Sequence, residues 1–107
     1  MKAEELLEVL ELKKYDGYKY YLYALKIIKK NGYGKYDINL AGNIYPQLSK
    51  KFKKSEAAIS SSMTKSIRRM YYEHYEDTRA MYKDLFGSTR RLTPLQFLME
   101  CVQYITK

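Results

Sequence analysis

Residues 55–70 read SEAAISSSMTKSIRRM. Apolar side chains recur at Ile59, Met63, Ile67 and Met70, the spacing of one stripe on an α-helix. Ser55, just ahead of the stripe, is a good N-cap residue because its hydroxyl can accept from the first free backbone N–H groups. The opposite side carries Ala57, Ala58, Ser60, Ser61 and Thr64 and ends in Lys65, Arg68 and Arg69. The pattern predicts the longest helix of the chain, from Ser55 to about His74. It is either an ordinary surface helix or one shaped to lie against something flat and negatively charged.

The residues before it sharpen that choice. Lys50, Lys51, Lys53 and Lys54 cluster ahead of Ser55, and with Lys65, Arg68 and Arg69 they place seven cations against the single acid Glu56 between residues 50 and 69. The order is short helix, tight turn, longer helix. A helix-turn-helix is arranged this way, with the first helix across the phosphate backbone and the second in the major groove. A groove about 12 Å wide admits a helix, and small side chains let it come close. The turn lacks the glycine such turns often contain, and a lysine-rich surface loop between two core helices remains the plain alternative.

Working outward, AEELLEVLEL at 3–12 is helical by pattern, with Leu6, Leu7, Val9 and Leu10 on its apolar side. It is expected to dock on the body or on a second copy, and either to block the basic surface or to supply a dimer contact. Asp16 is expected to cap the helix in DGYKYYLYALKIIKKNGYG, which Asn31-Gly32 stops. Asp37 is expected to cap a third helix through INLAGNIYPQLSKKF. It should break near residues 43–45, with Pro46 opening its second part. A short fifth helix is expected from Asp77 or Thr78 through Leu85, closed by Phe86-Gly87. Thr93-Pro94 should open the last helix, PLQFLMECVQYITK, which buries Phe97, Leu98, Cys101, Val102 and Ile105. No alternating strand pattern competes. The expectation is an all-α, single compact domain of about five to six helices containing a helix-turn-helix, organised as an acidic helix over 1–12 and an effector-like body over 13–107.

A chain of 107 residues with 46% hydrophobic content is sized for one such domain. The net charge is +8, and Glu4, Glu5, Glu8 and Glu11 near the start make the remainder more basic still. A body this basic attracts polyanions, or uses its charge for solubility. With one histidine, His74, and one cysteine, Cys101, the residues hold neither a structural zinc set nor a triad. No glycine-rich phosphate loop is present. We therefore expect no enzyme, no metal and no cofactor. The lone thiol suits a reducing, intracellular setting, and no apolar run approaches the ~18 residues of a membrane span. Thirteen tyrosines and no tryptophan point to tyrosine as core filler at Tyr18, Tyr21, Tyr71 and Tyr75. Tyr33 and Tyr36 are expected to be exposed, where stacking on single-stranded bases is an alternative use.

YPQLSKKF at 45–52, the helix from 55 to 71, DLFG at 84–87 and RLTPLQF at 91–97 follow one order, behind DGYKYYLYALKII at 16–28. Over nearly the whole chain from about residue 13, this resembles the C-terminal DNA-binding effector domain of the stage-zero A sporulation response regulators of endospore-forming bacteria. The resemblance implies six helices with a helix-turn-helix. Leu40 to Lys51 would be the positioning helix and Ser55 to His74 the recognition helix. It also implies binding of short DNA boxes as head-to-tail copies, and control of transcription. The family carries Arg, Glu and a second Arg where this chain has Ala58, Ser60 and Ser61, a further Arg at Thr64, and His at Lys65. These 107 residues do not also hold the receiver domain that family normally carries, so the expectation is either a stand-alone effector-like protein or an excised piece of a longer chain.

The expected function is thus a sequence-specific, double-stranded-DNA-binding transcription regulator related to sporulation control, cytoplasmic and nucleoid-associated. Lys50, Lys51, Lys53, Lys54, Arg68, Arg69 and Arg91 would contact phosphates, and Ala57, Ala58, Ser60, Ser61, Thr64 and Lys65 would face the bases. The further partners expected are a second copy as a homodimer, tandem copies on DNA, or RNA polymerase or a regulator protein. The alternative is a protein-interaction or dimerisation module of the same fold whose reading face has lost its long donors.

Overall fold

The computed structural model describes residues 2–73 and 75–105, with the side chain of Tyr75 apart. The elements run α1 (Ala3–Val9), α2 (Tyr18–Asn31), a 3-10 turn (Lys35–Asp37), a wide π-type turn (Leu40–Ile44), α3 (Tyr45–Phe52), α4 (Glu56–Glu73), α5 (Tyr75–Phe86) and α6 (Pro94–Ile105). No strand occurs among the described residues. The fold is all-α, as the periodicity predicts. His74, the expected end of the recognition helix, the side chain of Tyr75, and the last two residues of PLQFLMECVQYITK lie outside what is described.

α2 is the central rod. Tyr20, Tyr21, Ala24, Leu25, Ile27 and Ile28 are all buried, which leaves it little wet surface. Its C-terminus closes as expected. Gly32 takes a left-handed conformation (φ 66°), and the N–H of Tyr33 reaches back to the carbonyl of Ile28, a Schellman-type ending that only glycine adopts without steric cost. Its start differs. The N-cap is Gly17, with no side-chain cap, and Asp16 stands exposed. Gly17 is required there because α4 presses on it, and its backbone N–H donates to Ser66 Oγ at 2.7 Å.

α1 packs on the body. Leu6, Leu7, Leu10 and Leu12 are fully buried in the common core, and Glu4 pairs with Lys26 of α2 at 3.3 Å. Those leucines are therefore spent within the chain. Val9 alone of the expected apolar side is half-exposed, at 49%. The radius of gyration, 12.9 Å, is that of one folded body of this length, about 13 Å.

Asp37 does not cap the third helix. Its carboxylate accepts from the N–H of Gly34, and Asn39 caps the wide turn instead by accepting from the N–H of Gly42. The break then falls where Pro46 demands it, with proline in the first turn of α3.

α5 starts earlier than Asp77. Thr78 lies inside it, fully buried, and its hydroxyl donates to the carbonyl of Met70 at 3.2 Å. The rings of Tyr71 and Tyr82 sit 5.6 Å apart. Eleven residues of straight helix would separate them by about 16 Å, so α5 folds back across α4. Gly87, with φ 70°, closes α5 where Phe86-Gly87 was expected to. α6 opens on a reciprocal capping box, Gln96 N–H to Thr93 Oγ1 and Thr93 N–H to Gln96 Oε1. It buries all five expected residues.

Candidate nucleic-acid interface

The turn between α3 and α4 is set by local chemistry. α3 buries Leu48 and wedges Phe52 edge-on between Tyr20 and Tyr23 of α2, at 5.0 and 5.8 Å. It stops at Lys53, which takes the left-handed conformation (φ 55°) that a glycine would adopt more cheaply. Ser49 then ties the turn by donating its hydroxyl to the carbonyl of Lys54 at 2.6 Å. Ser55 caps α4 as expected, its Oγ accepting the N–H of Ala58 at 3.1 Å.

α4 buries Ile59, Met63, Ser66, Ile67, Met70 and Tyr71. Ala57, Ala58, Ser61, Thr64, Lys65, Arg68 and Arg69 are exposed. At 3.6 residues per turn, they fall on one outward arc that continues to Tyr72. Five of the six residues expected to face bases thus share one wet face. Ser60 does not. It is half-buried on the α3 side, and its Oγ accepts from the Tyr45 hydroxyl at 3.3 Å, because its helical position falls between the two helices.

The cations divide. Lys53 and Lys54 stand exposed in the turn at the head of α4. Lys50 is exposed on the outer side of α3. Lys51 leans away from α4, with its ammonium over the Tyr23 ring at 5.5 Å. Arg69 is already engaged, its Nε 3.0 Å from Glu73 Oε1 and its guanidinium over the Tyr15 ring at 5.4 Å. Arg68 and Arg91 are brought together, lining one groove with Thr64, Ile67, Leu92, Thr93 and Pro94. Lys19 joins the α3 end unannounced by the sequence, its ammonium over Tyr20 and Phe52 at 5.2 and 5.9 Å. It belongs to α2 by sequence, and only the Phe52 wedge places it here.

A second groove runs along the other edge of α4, between it and the Tyr15–Asp16 loop, lined by Ala58, Ser61, Ser62, Lys65, Ser66 and Arg69. The Tyr15 hydroxyl donates to Glu73 Oε2 at 2.7 Å. Burial, and then that carboxylate, push the Tyr15 hydroxyl up to about 12, while the same hydrogen bond and Arg69 hold the Glu73 carboxyl below its ordinary range.

Of the tyrosines weighed for stacking, Tyr36 is exposed at 87%, whereas Tyr33 is half-buried against the core. Tyr21 and Tyr71 are buried as expected, Tyr18 is half-buried, and Tyr82 is fully buried. Among the described residues no three of His, Cys, Asp and Glu gather, and no helix is long and apolar enough to cross a membrane. Cys101 is fully buried, and burial pushes its thiol far up, away from the reactive thiolate. The chain matches no protein-family model, no curated protein and no solved structure.

Proposed function

We propose that this protein is a small helical regulator of transcription that binds double-stranded DNA. The observation that carries the reading is the outward arc of α4, where Ala57, Ala58, Ser61 and Thr64 are all exposed and small. They are flanked by Lys53 and Lys54 at the head of the helix and by Arg68 and Arg91 about 20 Å further along, at 1.5 Å per residue. Short side chains let the backbone of α4 approach base edges, the methyls of Ala and Thr suit thymine methyls, and Lys65 supplies one long donor. The outer cations would hold phosphates, which position the protein without choosing a sequence. The resemblance of residues 45–52 and 84–97 to the sporulation effector domains supports the same role and suggests sporulation control as its setting.

The test is the salt dependence of binding to a random-sequence duplex. About six phosphate contacts give a slope of log affinity on log salt near −5. A slope near zero overturns the reading.

A second reading has its own support. Arg69 is neutralised by Glu73, and the Asp16 carboxylate lies along the same edge of α4 as Lys65. A face of small side chains with part of its charge cancelled suits a protein partner. That reading predicts a salt-insensitive complex and no preference among duplexes.

A further inference from the structure

The C-terminal third of α4, Arg79 of α5 and the loop at 88–91 enclose a cleft of about 280 Å³ lined by Tyr71, Tyr72, Arg79, Thr89, Arg90 and Arg91. Its walls are fixed by specific contacts. The Tyr71 hydroxyl donates to the carbonyl of Thr89 at 2.5 Å, and Ser88 Oγ accepts the N–H of Arg90 at 3.2 Å. Tyr71 and Tyr72 pack edge to face at 5.1 Å and 86°, and the Arg91 guanidinium lies over the Tyr72 ring at 5.6 Å. The loop is thus pinned to α4 through the tyrosine pair, and the Arg91 guanidinium is held at the rim.

The charged residues that line this cleft are all of one sign. Three guanidiniums line it and no carboxylate does. Among the described residues neither Arg90 nor Arg91 takes part in an ion pair. Gathered cations repel one another, and an anion seated between them relieves that repulsion. A guanidinium presents a planar fork of donors that matches paired oxygens of a phosphate, and the fork is pre-organised when it rests on an aromatic ring. The hydroxyl of Thr89 adds a neutral donor at the same rim.

We propose that the cleft between α4 and the 88–91 loop binds a phosphate group. That chemistry has two sources: a backbone phosphodiester of nucleic acid, or the terminal phosphate of a free nucleotide. The site shares Arg91 with the cations that flank the α4 arc, but it does not require the α4 face to read DNA.

The experiment is amide NMR on the full chain, titrated separately with inorganic phosphate, adenosine 5′-monophosphate and a short DNA duplex, with Arg90→Gln as the variant. We expect saturable shifts at residues 89–91 with at least one probe, and about tenfold weaker binding in the variant, the size of one charge-assisted contact. If the duplex moves these amides and Arg90→Gln lowers the salt slope by about one, the ligand is a backbone phosphate. If the mononucleotide saturates while the duplex leaves them still, it is a free nucleotide. Amides that no probe moves, or shifts identical in the variant, overturn the proposal. Retained phosphate shifts without any duplex binding would sink the α4 reading alone. Steep, salt-dependent duplex binding with residues 89–91 unmoved by every probe would sink this one alone.

Discussion

A Cβ placed on Gly17 would fall 2.5 Å from Ser66 Oγ and 2.8 Å from Ser66 Cβ. The start of α2 and the middle of α4 therefore touch through bare backbone, and the Gly17 N–H donates to the Ser66 hydroxyl in the buried gap. Gly17 has φ −72°, so its requirement is space and not conformation. Gly17→Ala is expected to cost about 1–3 kcal/mol through overpacking. Ser66→Ala is expected to cost about 1–3 kcal/mol by leaving a buried N–H unsatisfied. Urea midpoints at unchanged slope measure both.

Lys53 turns the chain from α3 into α4 at φ 55°, and it is also one of the cations at the head of α4. The two roles separate in one variant. Lys53→Gly removes the steric cost of the left-handed conformation and should raise stability by about 0.5–1 kcal/mol, the gain being offset in part by the flexibility of glycine in the unfolded chain. The same variant should bind duplex DNA more weakly, with a slope reduced by about one. A stability gain with unchanged binding would show that the lysine serves only the turn.

Tyr82 is fully buried, and among the described residues its hydroxyl has no hydrogen-bond partner. Its ring is well used, packing on Tyr71 and Phe86 at 5.6 and 5.4 Å. Tyr82→Phe should therefore be neutral or stabilising by about 1 kcal/mol, since it removes an uncompensated buried hydroxyl. Tyr21 is the contrast, because its buried hydroxyl donates to the carbonyl of Met63 at 2.8 Å. Tyr21→Phe should cost about 0.5–1.5 kcal/mol. Opposite signs in thermal unfolding of the two variants are the expected result.

Alkaline pH should loosen the fold through the same tyrosines. Tyr15 titrates near 12 against an ordinary value of 10, and burial pushes Tyr21 well above its ordinary value. A hydroxyl whose folded pKa is raised gives stability that is fully present below pH 10 and lost as pH climbs through the folded value. The urea midpoint should hold up to about pH 10 and fall toward pH 12, and in Tyr15→Phe the fall should be shallower. Glu73 works in the other direction. Its depressed pKa gives stability present above the ordinary carboxyl value and lost as pH falls through the folded one.

What the sequence made legible is what local chemistry decides. Ser55, Thr93 with Gln96, Gly32 and Gly87 mark helix ends through interactions within a few residues, and the Ile59–Met63–Ile67–Met70 stripe needs only a 3.6 period. The misreadings fall where a distant residue decides. Asp16 is a fair cap by type, but Ser66, forty-nine residues away, holds the Gly17 N–H. Thr78 looks like a helix start until α5 folds back and Met70 offers its carbonyl. Of the seven cations expected at phosphates, Arg69 is engaged by Glu73 and Lys51 by the Tyr23 ring. Neither side chain's direction is written in the spacing of its charge.

The Arg69–Glu73 pair makes the sharpest prediction about the interface. Arg69 sits at the edge of the α4 arc, but its guanidinium is shared between the Glu73 carboxylate at 3.0 Å and the Tyr15 ring. Glu73→Gln keeps the shape and the hydrogen-bond acceptor for Tyr15 while removing the negative charge. If α4 lies on duplex DNA, releasing Arg69 should strengthen binding and steepen the salt slope by up to about one contact. The exposed pair itself contributes little to folding, so the urea midpoint should barely move. Lys53→Ala with Lys54→Ala should weaken all duplexes alike, whereas Thr64→Ala or Lys65→Ala should alter preference between sequences. Glu73→Gln binding measured across a salt series therefore reports on the orientation of the α4 arc. An unchanged slope, with the Lys53 and Lys54 effect intact, would mean that the nucleic acid meets the turn and the head of α4 but never reaches the Arg69 edge.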